Sequence, residues 1–365
     1  MKQPRAPKIL ILGGTGVFGS KLAHMLLQDG WDFSVTSRSF STAQRFTDAH
    51  GGTPVEWDRA QNPAPLFKDH QIVVDAAGPF QDYGEDRCRI ALQAIDAGLH
   101  YLDLSDDGAF TAGITSLDDL ARSKGVTALS GVSSVPALSS AAVSALARDL
   151  ARIEHIEAAI LPGNRAPRGR SVMQAILGQV GAPIRLWRDG AWQSARGWSG
   201  SKTYELAPGL SRRAALIGAP DLLLFPDYFG ARTVEFRAGL ELGWMQSSLA
   251  LLSWFRARGL MPSVARFTPV FHRVATWFEG AGTDRGGMVV EIRGEIDGSP
   301  ATRRWTLIAE AGDGPFIPAI PALIAINKLV AGQYTTGARP ALAIFSLEEA
   351  EKALSRLKVT TRRDA

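Results

Sequence analysis

The sequence predicts an α/β protein with a doubly wound parallel sheet in its first part and a second, α+β domain after it. Short apolar runs alternate with helical patterns through residues 1–151, which is the pattern of βαβ units. A glycine-rich segment directly follows the first apolar run. After residue 152 the pattern changes to strands and loops, so the second sheet is expected to be mixed or antiparallel.

The first domain is predicted to span residues 1–151. Strands are expected at the short apolar runs, and helices where apolar residues recur every three or four positions. The predicted strands are 8–12, 33–36, 55–57, 72–76, 101–104 and 126–129. The predicted helices are 16–28, 41–49, 82–97, 116–123 and 139–150.

The second domain is predicted to span residues 152–315. Strands are expected at 156–161, 288–296 and 303–311, and the last two flank Asp297-Gly298-Ser299-Pro300, which indicates a hairpin. A C-terminal tail, residues 316–365, is expected to pack back on the first domain. It contains an apolar helix at 322–330, a short strand at 341–345 and a helix at 349–357, which Ser346 and Glu349 introduce as a capping box.

Composition favours a globular protein with an anionic ligand. The 365 residues are 45% hydrophobic, and 40 basic against 36 acidic residues give a net charge of +4. Because the two signs are interspersed, the charge does not indicate nucleic-acid binding. Cys88 is the single cysteine, so no intrachain disulfide can form, as is typical of a reducing compartment. No apolar run reaches the roughly 18 residues of a membrane span, so a cytoplasmic protein is expected.

The most specific motif is a glycine loop between the first strand and the first helix. Gly14, Gly16 and Gly19 have the G-x-G-x-x-G spacing of a dinucleotide-binding fold of the Rossmann type. The first glycine allows the tight turn, the second the approach of a pyrophosphate, and the third close packing of helix on strand. The free N–H groups at the start of the helix then stabilise the phosphate charge.

Two other classes of nucleotide-binding protein do not match this sequence. A P-loop needs Gly-Lys-Ser/Thr in that order, whereas Gly19 is followed by Ser20 and then Lys21. A short-chain dehydrogenase usually has a lysine four residues after its catalytic tyrosine. None of the five tyrosines here has a lysine at that spacing.

The end of the second strand predicts a preference for NADP(H). A fold that binds NAD usually has an acidic residue there, which holds the ribose 2′-hydroxyl. Here the segment contains Ser37 and Arg38 and no acid. A guanidinium offers paired donors and a permanent charge to a 2′-phosphate.

Four segments of the first domain resemble the saccharopine dehydrogenase-like oxidoreductase superfamily. They are GGTGVFG at 13–19, VDAAGPF at 74–80, GLHYLDLS at 98–105 and SGVSSVP at 130–136, and GPFIPAIPA at 314–322 is also similar. The resemblance implies a Rossmann domain, a substrate domain with a mixed sheet, and hydride transfer with a nicotinamide cofactor. The chain departs from the family after Leu104, where Ser105-Asp106-Asp107 replaces the Ser/Thr-Gly-Glu of many members.

In such a sheet the ligand lies beyond the carboxyl ends of the strands, which defines the candidate site. The cofactor-binding candidates are Gly13, Gly14, Thr15, Gly16, Val17, Phe18, Gly19, Ser37, Arg38, Ala77, Gly78 and Pro79. Phe80, Ser105, Ser133 and Ser134 are candidates for substrate binding, and Asp103, Asp106 and Tyr83 for catalysis. Histidine and cysteine spacing indicates no zinc site.

Three functions remain open from the sequence. The first is an NADP-dependent oxidoreductase that acts on a small or acyl substrate held between its two domains. The second is a trans-acting enoyl reductase on carrier-bound acyl chains, with the apolar segment 240–255 as an acyl groove. The third is a non-catalytic NADP-binding regulator. A homodimer is compatible with each of them.

Overall fold

The computed structural model describes residues 7–167 and 169–364, so the first six residues of the predicted first domain lie outside the described part. The chain divides into two compact units. The first contains Met1–Ala137 and Pro315–Phe345, and the second contains Leu138–Gly314 and Ser346–Ala365. The tail expected at 316–365 is thus shared between the units, its first thirty or so residues in the first and the rest in the second.

The elements follow in chain order. The first run is β1 Ile9–Leu12, α1 Val17–Gln28, β2 Phe33–Ser37, α2 Phe40–His50, β3 Thr53–Glu56, β4 Ile72–Asp75, α3 Arg89–Asp96, β5 His100–Asp103, α4 Gly108–Gly113, α5 Asp118–Ser123 and β6 Thr127–Ser130. The second run is α6 Ser139–Leu146, β7 Arg152–Leu161, α7 Arg170–Gln179, β8 Pro183–Arg188, β9 Ala191–Arg196, β10 Ser199–Ala207, β11 Leu210–Leu216, α8 Pro220–Phe229, β12 Thr233–Gly239, α9 Gly243–Ala257, α10 Thr268–Trp277, β13 Gly286–Ile296 and β14 Ser299–Ala309. The chain ends with α11 Ile320–Val330, β15 Gly337–Pro340, α12 Leu347–Leu354 and β16 Val359–Asp364.

The first unit is built on a seven-stranded parallel sheet in the order β15-β6-β5-β4-β1-β2-β3. Strand β1 is fully buried, as its unbroken run of Ile and Leu predicts for a strand covered on both faces. The chain runs outward to β3 on one side of β1, then returns to β4 on the other. The crevice beyond the carboxyl ends of β1 and β4 is therefore the topological switch point, where doubly wound sheets bind their ligands. The predicted fold class is confirmed.

Two predicted elements of this unit are wrong. The helix expected at 82–97 starts only at Arg89, because Gly84 adopts φ +72° after a short 3₁₀ turn at Phe80–Tyr83. Cys88, expected inside that helix, is its N-cap residue. The strand expected at 341–345 does not form, since β15 lies immediately before it and Ala343 has φ +48°. The short helix α4 was not predicted from the sequence.

The second unit is built on a mixed sheet, as expected. Its main path is β10-β11-β12-β7-β13-β14-β16, and β8 joins it by pairing with β12 and β9. Strands β7 and β12 are parallel, whereas the other pairs are antiparallel. The hairpin of β13 and β14 is confirmed, and its turn residues Asp297 and Gly298 both have positive φ, the geometry of a type I′ turn. The capping box of Ser346 and Glu349 also forms.

No helix among the described residues is long and apolar enough to cross a membrane.

Candidate functional site

The glycine loop is held tightly between β1 and its neighbouring strands. Gly13 has φ +70°, and its N–H donates to Oγ1 of Thr36 in β2 at 2.9 Å. A β-carbon at Gly13 would lie 2.9 Å from Cα of Ala77, in the loop that follows β4. One at Gly14 would lie 2.7 Å from Cβ of Val35. Both positions therefore exclude a side chain, and the glycine loop contacts the loop after β4 through its backbone.

The last two glycines of the motif lie in opposite environments. A β-carbon at Gly19 would lie 2.5 Å from the carbonyl oxygen of Gly13, so this glycine lets α1 pack closely on the loop. Gly16, the N-cap of α1, is exposed, and a β-carbon there would approach only the carbonyl oxygen of Gly13, at 3.1 Å. The first turn of α1 contains no acidic residue, and its N–H groups lack intrahelical acceptors. Beside Gly16 there is thus room for an anionic group to meet the helix start.

The predicted 2′-phosphate residues lie at the end of β2. Ser37 is half-buried, and Arg38 is exposed with no ion-pair partner among the described residues. Glu56, at the end of the adjacent strand β3, accepts a hydrogen bond from the N–H of Phe40 at 2.9 Å and so caps α2. The nearest strand-end carboxylate is therefore engaged with a backbone N–H, and Arg38 remains free to meet an anion.

The loop after β4 is held by hydrogen bonds to the side chains of Asp75 and Arg59. Asp75, fully buried at the end of β4, accepts a hydrogen bond from the N–H of Ala77 at 2.9 Å. Arg59 donates to the carbonyl oxygens of Ala77 and Pro79, at 3.4 and 2.9 Å. The backbone of Gly78 is therefore fixed beside the glycine loop, where a dinucleotide would pass from its pyrophosphate towards its second ribose.

An aromatic cluster covers Asp75. The hydroxyl of Tyr83 donates to Oδ2 of Asp75 at 2.7 Å, and its ring stacks on Phe80 with centroids 5.5 Å apart. Phe110 packs edge-on against both rings, and the Arg59 guanidinium lies over Tyr83 at 4.8 Å. Burial raises the pKa of Asp75, and burial together with the Asp75 carboxylate raises the pKa of Tyr83 well above its usual value. Tyr83 therefore keeps its proton at neutral pH.

Asp103 ties together the loops after β5 and β6. Its Oδ1 accepts hydrogen bonds from the N–H groups of Ser105 at 3.0 Å and Gly131 at 2.8 Å. Its Oδ2 is buried without a hydrogen-bond partner among the described residues. Burial raises the pKa of Asp103 to about 7, although the Gly131 N–H bond opposes the rise. This carboxyl group can therefore change charge near neutral pH, but it is not accessible to solvent.

The remaining candidates of the loop after β5 differ in exposure. Asp106 is exposed and accepts a hydrogen bond from the Gln81 amide at 3.1 Å, which joins it to the loop after β4. Ser105 is buried, and its hydroxyl accepts from the N–H of Asp107 at 3.1 Å, within the turn that leads into α4. Of these residues, Asp106 is the exposed one, and burial of its carboxyl group raises the pKa of that group.

Ser133 and Ser134, after β6, are both nearly buried. The hydroxyl of Ser133 donates to the carbonyl oxygen of Pro318 at 3.1 Å, within the same unit. Its side chain therefore anchors the C-terminal segment of the unit, and the structure does not bring it to the carboxyl edge of β1 and β4 as an open donor.

Among the described residues, one cluster of side chains in the second unit has the residue types that bind metal ions. It consists of His155 and Glu157 of β7 and Glu235 of β12. Arg237 forms ion pairs with both glutamates at 2.8 Å, and Lys202 lies 2.7 Å from Glu157. Because these cations already neutralise the carboxylates, the group is an ion-pair network, and sequence spacing could not reveal it across two strands.

Three residues of the site were not identified from the sequence: Thr36, Arg59 and Asp75. Asp75 lies inside the segment 74–80, so its place directly before the glycine-containing loop was a usable signal. Arg59 lies in the irregular segment after β3, and nothing in the local sequence connects it with Ala77 or Pro79.

Comparison with known proteins agrees with this geometry. Residues 9–129 match the family model described as saccharopine dehydrogenase NADP-binding domain. A solved apo saccharopine dehydrogenase (L-Glu forming) from Saccharomyces cerevisiae is similar in fold, with a TM-score of 0.68 and 14% identity over 99% of this chain and 100% of that one. A DAP dehydrogenase from C. glutamicum, in complex with DAP, is more distant, with a TM-score of 0.49 and 14% identity over 93% and 94% of the two chains.

No curated protein sequence gives a significant match. The family match covers the glycine loop, Arg38, the loop after β4 and the residues at the end of β5. Over residues 9–129, about a third of the chain, this protein is therefore similar to the saccharopine dehydrogenase NADP-binding domain, and the match supports NADP(H) binding by the first unit.

Proposed function

We propose that this protein is an NADP(H)-dependent oxidoreductase. The observation that carries the proposal is the exposed start of α1 at Gly16, placed at the topological switch point with the loop of Gly78 alongside it. When bound, NADP(H) supplies or accepts a hydride at its nicotinamide ring, and the protein contributes orientation and electrostatics. The match of residues 9–129 to an NADP-binding family and the likeness in fold to a saccharopine dehydrogenase support this class of reaction.

Each cofactor group has a matching element in the first unit. The N–H groups of Val17, Phe18 and Gly19 would hold the pyrophosphate, since they open α1 and the helix dipole favours a negative charge there. Arg38 would hold the 2′-phosphate. Gly78 would admit the second ribose, because its backbone is fixed by Asp75 and Arg59 on either side.

The catalytic candidates take two different roles in this proposal. Tyr83 and Asp103 are positioning residues: the tyrosine hydroxyl is engaged with Asp75, and Asp103 holds two backbone N–H groups while fully buried. Asp106 is exposed at the carboxyl end of β5, and the Gln81 amide orients it. Its carboxylate would therefore bind a cationic substrate group such as an ammonium, or relay a proton to solvent.

Isotope transfer tests the proposed reaction. NADPH that carries deuterium at the nicotinamide C4 is incubated with the protein and the low-mass fraction of a cell extract, and products are examined by mass spectrometry. We expect a protein-dependent product that is heavier by one mass unit. Tight NADPH binding without transfer in either direction would contradict the proposal and would indicate the non-catalytic regulator.

Two matched substitutions distinguish a specific role of Asp106 in the reaction from a general effect of losing one negative charge. Asp106→Asn should lower kcat/KM by roughly tenfold to a hundredfold, the usual worth of a hydrogen bond to a charged group, and should leave NADPH affinity unchanged. Asp119→Asn, at an exposed position on α5, removes the same charge and should change neither quantity. Equal kinetics for the two variants would rule out a role for Asp106.

One observation in the second unit favours an acyl substrate as the second candidate. Apolar side chains of α7, α9 and α10 line a pocket that is almost free of polar surface, among them Met173, Leu177, Leu249 and Phe271. Such a pocket fits a hydrocarbon chain. Turnover of acyl analogues with NADPH would support an enoyl reductase, whereas turnover confined to pairs of amino acid and keto acid would exclude it.

A further inference from the structure

Large apolar side chains are concentrated on one part of the second unit, within residues 244–278. Of the sixteen large apolar side chains that are exposed among the described residues, nine lie in this window. They are Trp244, Leu251, Trp254, Phe255, Leu260, Phe267, Val270, Trp277 and Phe278, and they define what we call the α9–α10 surface. Leu260 is 65% exposed and Trp277 is 75% exposed. Isolated exposed apolar residues are ordinary, but such a concentration marks an interaction site.

Helix α9 buries Leu249 against the core of its unit but also exposes large apolar side chains. Its buried side includes Gln246, which accepts a hydrogen bond from the N–H of Leu240, and Ser253, which donates to the carbonyl oxygen of Gly197. Its exposed side includes Leu251 and Trp254. Packing within the unit therefore covers one side of α9 and leaves large apolar side chains uncovered on the other, where they are available to a partner.

Helix α10 shows the same exposure. Thr268 is the one buried residue of this helix, while Val270 and Trp277 are exposed. Phe271 and Ala275 pack, partly buried, against the apolar core of the unit, so α10 is anchored by one side and exposes the other. The exposed residues of α10 are more readily explained by a partner than by the fold.

The charge of the same segment shows what kind of partner fits. Residues 242–278 contain four arginines and neither Asp nor Glu. The guanidinium of Arg256 is held by the carbonyl oxygens of Gly178 and Val180, and Arg258 lies over the Trp254 ring at 3.7 Å. Arg266 and Arg273 are exposed and have no ion-pair partner in the described part of the chain. The α9–α10 surface thus combines tryptophan and leucine with a net positive charge, which the exposed Glu279 directly after the segment offsets in part.

A second copy of this chain is a poor partner for such a surface. A twofold interface would bring two copies of the same patch together, so the net positive charge of one copy would meet that of the other. Like charges brought together in this way oppose association. An anionic lipid surface supplies the missing negative charge in its headgroups and an apolar layer directly beneath them.

We propose that the α9–α10 surface docks on an anionic membrane surface. Trp254 and Trp277 enter the headgroup region, where indole rings are favoured because they are apolar with one polar edge. Arg258, Arg266 and Arg273 contact lipid phosphates. The helices lie on the membrane and do not cross it, in keeping with their length.

Vesicle flotation with the full-length protein tests this inference. We expect binding to vesicles of mixed phosphatidylcholine and phosphatidylglycerol, weaker binding at high salt, and much weaker binding to phosphatidylcholine alone. Replacing Arg266 and Arg273 together by Ser should reduce binding to the anionic vesicles by roughly tenfold or more. The triple variant Trp254→Ser, Leu260→Ser, Trp277→Ser should abolish binding to both vesicles.

A matched control carries three apolar-to-serine changes at exposed positions of the first unit: Leu27→Ser, Leu92→Ser and Val330→Ser. It should bind vesicles as the unaltered protein does. NADPH affinity and the unfolding temperature, measured for every variant, show that the fold is intact. No binding to anionic vesicles would overturn the proposal. So would an oligomer, measured by light scattering, that the triple variant disrupts while vesicle binding is absent or unchanged.

Discussion

Arg38 is the residue on which the choice between NADP(H) and NAD(H) depends in our proposal. It is exposed at the end of β2, and the neighbouring strand-end carboxylate of Glu56 is used to cap α2. A site of this kind favours a 2′-phosphate over a 2′-hydroxyl because the guanidinium gains a charge-assisted pair of hydrogen bonds only with the phosphate.

Reversing this charge should therefore weaken NADP(H) selectively. We expect Arg38→Asp to reduce NADPH affinity roughly tenfold to a hundredfold in a calorimetric titration, with little loss of NADH affinity. Arg196→Asp makes the same change of charge on an exposed residue of β9 and should be neutral. Equal affinity of the unaltered protein for NAD and NADP would contradict the assignment of Arg38.

Asp221 is a second residue with a measurable effect, because its ionisation makes the free energy of unfolding depend on pH. It lies in the first turn of α8 and is 1% exposed, and burial raises its pKa to about 7. The folded protein therefore retains a proton that the unfolded chain releases above pH 4 or so. Because the folded state binds more protons, the free energy of unfolding falls as pH rises from about 4 to about 7, by up to about 4 kcal/mol from this group.

Asp221→Asn should remove this fall in the free energy of unfolding, because asparagine does not ionise. Urea unfolding at pH values between about 4 and 8 should show the variant to be more stable than the unaltered protein at the alkaline end, with the difference shrinking towards acid pH. Asp103, whose pKa is also about 7, contributes equally to both proteins. Parallel pH profiles for the two proteins would show that Asp221 is ionised to the same extent in the folded and unfolded states.

At the scale of the element, substitutions in the glycine loop and in α1 can distinguish effects on NADPH binding from effects on the stability of the fold. Gly16 has φ −73°, a value that any residue adopts, and a β-carbon there would meet only the carbonyl oxygen of Gly13. Gly19 leaves no space for a β-carbon. The two glycines of one motif should therefore respond differently to the same substitution.

Gly16→Ala should lower NADPH affinity by about tenfold or more while costing the fold little, because alanine at an N-cap loses only about 1 kcal/mol or less relative to glycine. Gly19→Ala should lower the unfolding temperature markedly, since overpacking of this kind typically costs about 1–3 kcal/mol. Thermal unfolding with and without NADPH measures both effects. A stable Gly19→Ala protein would show that α1 can shift away from the loop.

The glycine loop could be predicted from the sequence because its strand, turn and helix follow one another directly in the chain. The restraints on the loop after β4 could not be predicted, because they join residues distant in the chain: Arg59 donates to Pro79, and Phe110 packs on Tyr83, which donates to Asp75. Similarly, the apolar pattern of the strands predicted β1 and β4. The position of β15 depends on Asp118, whose carboxylate binds the N–H of Ala338, and so on a contact distant in the chain.

At the scale of the whole molecule, the sequence indicated two kinds of sheet but not which segments of the tail each sheet recruits. The last strand, β16, pairs with β14 in the second unit, whereas β15 pairs with β6 in the first. Both are short, and β16 is largely polar, so periodicity does not identify its partner. Likewise, the apolar segment 240–255 was visible as a pattern, but only the structure shows that it buries Leu249 and leaves Leu251 and Trp254 exposed.

The central claim is that backbone N–H groups at the start of α1, together with Arg38, hold NADP(H). The most direct measurement is the unfolding temperature of the purified protein in increasing concentrations of NADPH and, separately, NADH. Saturation a hundredfold above the dissociation constant should stabilise the protein by about 2.7 kcal/mol, at NADPH concentrations where NADH has a smaller effect. An unfolding temperature that neither dinucleotide raises would contradict the claim.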